Sequence, residues 1–143
     1  MAGSKRKETA FIRYLWDDAE VDSAGSVRSW EKRYDGGDRD WMRLCGGAPV
    51  LLEHKWRKWP AGSRAMMSIL ENAYKQLTEA YLDEWDDAQP SQVPFLLVGY
   101  TPLGTGVENA ICYFDFHGQM VMMLAEKFKK SFIEGETDEH TST

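Results

Sequence analysis

Hydrophobic positions along the chain fall into blocks with different periods, and the period names the element. From residue 8 to 20 the apolar groups Phe11, Tyr14 and Leu15 recur at helical spacing against a polar reverse face, which predicts a helix. Asp22 to Gly25 interrupts it. Residues 27 to 34 are strand-compatible, and Asp35-Gly36-Gly37-Asp38 is a strong turn signal. A strand over residues 40 to 45 ends at Gly46-Gly47. Pro49 then leads into Val50-Leu51-Leu52-Glu53-His54-Lys55-Trp56, which reads as a buried strand. Together these three segments predict an antiparallel meander.

Beyond Pro60-Ala61-Gly62, Ser63 is a favourable N-cap for a long helix reaching about residue 87. Its apolar stripe is Met66, Leu70, Ala73, Leu77, Ala80 and Tyr81. After a loop at residues 89 to 92, the run from Pro94 to Tyr100 is apolar almost without a break, the mark of an interior strand covered on both faces. Residues 101 to 106 form a Gly/Pro loop and 110 to 116 a further strand. Residues 119 to 132 are expected to form a final amphipathic helix, with Met120, Met122 and Met123 filling core or an interface. The order α-β-β-β-α-β-β-α predicts an α/β domain, a central mixed sheet flanked by helices.

At 143 residues, 43% hydrophobic and 13% aromatic, the chain has material for one real core, placed here at residues 1 to 133. Residues 134 to 143 carry Glu134, Glu136, Asp138 and Glu139 with no basic residue and are expected to be a disordered acidic tail. The first residues lack the apolar run of a secretory signal, and no stretch approaches the ~18 apolar residues of a membrane span. Cys45 and Cys112 stand far apart without a CxxC pattern, so neither a disulfide framework nor an all-cysteine zinc site is expected. The cytoplasm is the expected compartment.

The net charge of −6 speaks against a nucleic-acid partner less than it first suggests. Acidic residues cluster in the tail and at Asp83, Glu84, Asp86 and Asp87, while positive charge gathers at Lys5-Arg6-Lys7, at Lys55-Trp56-Arg57-Lys58-Trp59, and at Lys127, Lys129 and Lys130. In the second cluster, tryptophans interleave with cations, a composition suited to stacking on bases beside phosphates. For Lys5-Arg6-Lys7 the alternatives are a flexible basic arm against a phosphate backbone and a merely solubilising terminus.

Glu53 and Lys55 are two apart on a strand and therefore project from the same face, whereas His54 faces the other way. Asp40, one strand earlier, can reach that face if the two strands pair across Gly46-Gly47. Two carboxylates and the backbone carbonyl of His54 would form a partial shell for Mg²⁺, a hard cation that keeps several waters. Such an ion stabilises charge on a phosphodiester and generates hydroxide from water, and Lys55 would orient that water. The competing reading is an exposed Glu53–Lys55 pair on an edge strand, worth roughly 0.2–1 kcal/mol. Burying charged groups on so apolar a strand is costly unless they are paired or liganded. Other chemistry is weaker. His117 and His140 have no partner at metal-ligand spacing, there is no nucleophile elbow, and Gly104-Thr105-Gly106 lacks the Lys-Ser/Thr of a phosphate loop.

With Asp40, Glu53 and Lys55 in that order, and helix, meander, helix and strand around them, residues 8 to 100 resemble the PD-(D/E)XK nuclease superfamily. Arg39 stands where that motif often has proline, and Asp38, on the same strand face, rivals Asp40 as first acid. The chain looks most like the small archaeal-type Holliday junction resolvases, which carry a glutamate early in the first helix, where this chain has Glu8. The resemblance implies a restriction-endonuclease-like core and a Mg²⁺-dependent DNA endonuclease, with Mn²⁺ able to substitute. It implies Asp40, Glu53 and Glu8 at the metal, Lys55 in catalysis, and branched DNA as substrate. Paired cuts would need a homodimer. The alternative from another class is a non-catalytic protein of the same fold that binds another protein through its acidic surface.

Overall fold

The structure, a computed structural model, describes residues 2–16, 43–48, 50–84 and 94–135. The expected strand at 27–34, the start of that at 40–45, Asp38, Asp40, the loop at 89–92 and most of the acidic tail lie outside the described residues, as do the side chains of the 83–87 cluster.

Helix α1 (Ala2–Leu15) buries Phe11 and Leu15 of the stripe read from the sequence, while Tyr14 is only partly buried and Ile12, with Trp16 just beyond the helix end, completes the buried face. It starts earlier than the expected residue 8, so Lys5, Arg6 and Lys7 belong to its first turns rather than to a free arm. Strand β1 (Val50–Arg57) is followed by α2 (Ser63–Glu84) and β2 (Phe95–Pro102). Because a helix intervenes, β2 returns parallel to β1, pairing from Val50↔Phe95 to Arg57↔Pro102. Ser63 is the first helical residue, and the carbonyl of Gly62 accepts the first intrahelical bond, from the Met66 N–H at 3.2 Å.

Strand β3 (Ile111–Phe116) pairs antiparallel to β2 after a 3-10 turn (Val107–Asn109), and β4 (Gln119–Leu124) pairs antiparallel to β3. The sheet order is β1-β2-β3-β4, with β2 in the interior as its unbroken apolar run predicts. Among the described residues this is an α/β architecture: a four-stranded mixed open sheet flanked by helices.

β4 corrects the sequence reading, which expects one helix over residues 119 to 132. His117 and Gly118 both have positive φ, 53° and 85°, as a two-residue hairpin turn requires, and Asp115 Oδ1 accepts the Gly118 N–H at 2.8 Å. Along Gln119–Leu124 burial alternates, with Val121 and Met123 packed inward and Met120, Met122 and Leu124 exposed. Unbranched methionine is a good helix former, but pairing with β3 and burial of one face decide otherwise. Helix resumes only at α3 (Ala125–Phe128), which passes into a π-helical turn (Lys129–Ile133).

Two cores result. On one face α2 lays Met66, Leu70, Ala73 and Leu77 over Leu51, Val98, Tyr100, Ile111 and Tyr113. On the other, α1 and α3 cover Val50, Leu52, Leu97, Cys112 and Phe114, with Phe95, Phe128 and Phe132 in mutual ring contact. The segment at residues 43–48 is tied to this second core by Trp16 Nε1, which donates to the Arg43 carbonyl at 3.0 Å, and by the Cys45 N–H, which donates to the Phe132 carbonyl at 2.8 Å.

Gly99 sets how closely α1 approaches the sheet. A Cβ there would stand 2.6 Å from the buried Phe11 ring and 3.3 Å from the His54 ring. Gly99→Ala is therefore expected to cost about 1–3 kcal/mol by overpacking, measured as a lowered urea midpoint with unchanged m-value.

Candidate functional site

The alternation of β1 divides its chemistry between two faces. Leu51, Glu53, Lys55 and Arg57 share the α2 face, and Leu51 is the residue that α2 covers. Past it, Lys55 Nζ lies 3.2 Å from Glu53 Oε2 and donates to Gln76 Oε1 of α2 at 3.3 Å. The lysine and glutamate side chains are only 18% and 24% exposed, so this is a sheltered pair and not a solvated one. A half-buried carboxylate with an ammonium held beside it is suited to bind a cation on its free oxygen and to steady a water or an anionic oxygen near the lysine.

On the α1 face stand His54 and Trp56. The His54 ring centroid is 4.9 Å from that of Phe11, and Nε2 hydrogen-bonds the buried Thr101 Oγ1 at 2.8 Å. Burial, with a smaller push from the Lys7 ammonium, lowers the imidazole to about 3. The neutral ring is thus a packing and hydrogen-bonding element of the core, and its side chain points away from Glu53. Trp56 has a buried Nε1 without a hydrogen-bond partner among the described residues. Lys7 Nζ sits over its ring, 5.2 Å from the centroid.

At the end of β1 the Tyr100 hydroxyl donates to the Lys58 carbonyl at 2.7 Å, which fixes the chain as it leaves the strand. Arg57 and Lys58 are exposed there, and Trp59, 50% exposed, meets Tyr100 edge-on with centroids 5.9 Å apart. The exposed aromatic of the Lys-Trp-Arg-Lys-Trp run is therefore Trp59, while Trp56 is largely enclosed.

No family model, curated protein or solved structure matches the chain.

Of the residues singled out from the sequence, the fold brings Glu53 and Lys55 together and gathers Lys7, Trp56, Arg57 and Lys58 near the end of β1. Arg6 is exposed on α1, and the Lys5 side chain is outside the described residues. Glu8 lies on α1, which packs on the face of the sheet opposite Glu53 and Lys55, so the two glutamates are not brought to one face. Among the described residues no three His, Cys, Asp or Glu side chains are placed to hold a metal ion. A cation at Glu53 would need another carboxylate, and Asp40 and Asp38 lie outside the described residues. Sequence reading missed Gln76, which has no motif of its own; only the packing of α2 over β1 places it at Lys55. Thr101 was missed for the same reason, since its role is to partner a histidine 47 residues away.

The depressed imidazole carries a stability consequence. In the unfolded chain His54 protonates near its ordinary value of 6.5, whereas the folded protein resists protonation down to about 3. The unfolded state thus binds more protons across that window. Stability from the neutral ring is complete above pH 6.5 and falls by about 1.4 kcal/mol per pH unit below it. Denaturant unfolding between pH 7 and 4.5 should show that slope, and His54→Gln should flatten it by this amount. Equal slopes in both proteins would refute the assignment.

Proposed function

We propose that the chain is a Mg²⁺-dependent DNA endonuclease of the PD-(D/E)XK type, in its preferred version a branched-DNA resolvase. The observation that carries this reading is the sheltered Glu53–Lys55 pair, at 3.2 Å on the second half of a strand whose first half is buried. An ion pair with no task would be expected in open solvent at the strand edge, where it costs little. The parallel β1-α2-β2 unit agrees with the restriction-endonuclease-like core that the resemblance implies.

In this mechanism Asp40 and Glu53 would hold the ion, with the His54 backbone carbonyl as a further oxygen, and a cation held there would supply Lewis acidity and a more acidic water. Lys55 orients the attacking water and offsets the charge that develops on the phosphorane oxygens. Gln76 limits the travel of the lysine ammonium by accepting its hydrogen bond. Arg57 and Lys58, exposed at the end of β1, would meet phosphates flanking the scissile bond, and Trp59 would be available to an unstacked base, whereas Lys7 sits over Trp56 on the α1 face. Glu8 is left out of the set because α1 is across the sheet.

Labelled four-way junction, linear duplex and single-stranded DNA, incubated with Mg²⁺ or Mn²⁺, should be cut by the wild type. Glu53→Ala and Lys55→Ala, both folded, should each lose at least about 100-fold in rate. Preference for the junction would select the resolvase version. Absence of metal-dependent cleavage of all three substrates would overturn the proposal.

A further inference from the structure

The hairpin β3-β4 presents an edge that the nuclease reading does not use. Met120, Met122 and Leu124 are 42%, 50% and 56% exposed, and all three project from the α2 face of β4. α2 lies over β1 and β2 and reaches only as far as Tyr113 of β3, which stands directly opposite Met122. Among the described residues nothing pairs with the outer side of β4.

Backbone phase makes this edge more specific than an apolar stripe. In a hairpin with a two-residue turn the closing pair, here Phe116↔Gln119, is hydrogen-bonded, and bonded pairs then alternate. Gln119, Val121 and Met123 therefore spend their N–H and C=O groups on β3. The Ala125 N–H, which donates to the Ala110 carbonyl at 2.8 Å, keeps the same phase. The outward groups belong to Met120, Met122 and Leu124, the residues whose side chains are exposed.

We infer that β4 is a homodimer interface, at which two copies pair edge to edge, antiparallel, about a two-fold axis at Met122. In that register Met122 faces its own copy and Met120 faces Leu124 of the partner subunit. Every outward N–H and C=O of the three residues then finds a bond, and their side chains meet on one face of a sheet continuous across the two copies. The occupant is a second copy because the edge is self-complementary. β4, Gln-Met-Val-Met-Met-Leu, has no charge, proline or bulge along its six residues, the devices by which edge strands ordinarily avoid one another. Antiparallel pairing sets no like charges opposite, and a two-fold contact closes after two copies.

This inference stands on the hairpin alone and can fail or hold whether or not the protein cuts DNA. Sedimentation equilibrium of the full chain over a range of concentrations should show a monomer–dimer equilibrium. Met122→Pro removes an N–H that β3 does not use, so the hairpin is retained while self-pairing is blocked. Met122→Lys, at an exposed site, sets two ammonium groups together on the axis. Each variant, with wild-type circular dichroism, should weaken dimerisation on the order of 30-fold or more. A monomeric wild type, an assembly larger than a dimer, or a dimer unaffected by Met122→Lys would overturn it.

Discussion

The parallel pairing of β1 with β2 is the constraint from which the rest of the molecule follows. Val50, Leu51 and Leu52 are all buried, alternately beneath α1 and α2, and they hold the register from Val50↔Phe95 onward. A slip of one residue would exchange the faces of every side chain in the strand. It would put Glu53 and Lys55 into the α1 core, against Phe11, and turn His54 and Trp56 toward α2. The apolar half of the strand thus places the polar half, and no charged residue has to specify its own position.

The two faces carry opposite electrostatic logic. Under α1 the imidazole of His54 is kept neutral by burial and satisfied by Thr101, with Gly99 leaving room for the Phe11 ring against it. Under α2 Lys55 has both the Glu53 carboxylate and the Gln76 amide oxygen within reach. One face therefore supplies rigidity and the other a sheltered pair of opposite charges. Tyr100 links them to the exposed end of the strand, packing in the α2 core while its hydroxyl holds the chain that carries Lys58 and Trp59.

Much of this was legible in the sequence where one periodicity dominates. The stripe of Met66, Leu70, Ala73 and Leu77 and the unbroken run from Phe95 to Tyr100 each left a single reading, and the shared face of Glu53 and Lys55 followed from strand period alone. Of the helix expected over residues 119 to 132, the part from Ala125 onward is helical, whereas 119 to 124 is a strand, because Met120, Met122 and Met123 suit either period. The deciding signal is the His117-Gly118 turn, which takes two positive φ angles. Gln76 and Thr101 were not legible, since their roles arise from contacts between distant segments. Of the strand expected at 40–45, the described end is a single bridge at Arg43 followed by a turn whose Cys45 N–H bonds the Phe132 carbonyl, and the approach of Asp40 to β1 rests on sequence alone.

On the proposed reading Glu53 is half of a cation site completed by Asp40, with Lys55 beside it but not a ligand. The most direct measurement is a crystal structure grown with Mn²⁺ and recorded at the manganese absorption edge. The account predicts an anomalous peak bound by carboxylate oxygens of both Asp40 and Glu53, with the Lys55 ammonium next to the bound waters. A map with no peak at Glu53, or with Asp40 remote from it and Glu53 still paired to Lys55, would contradict it.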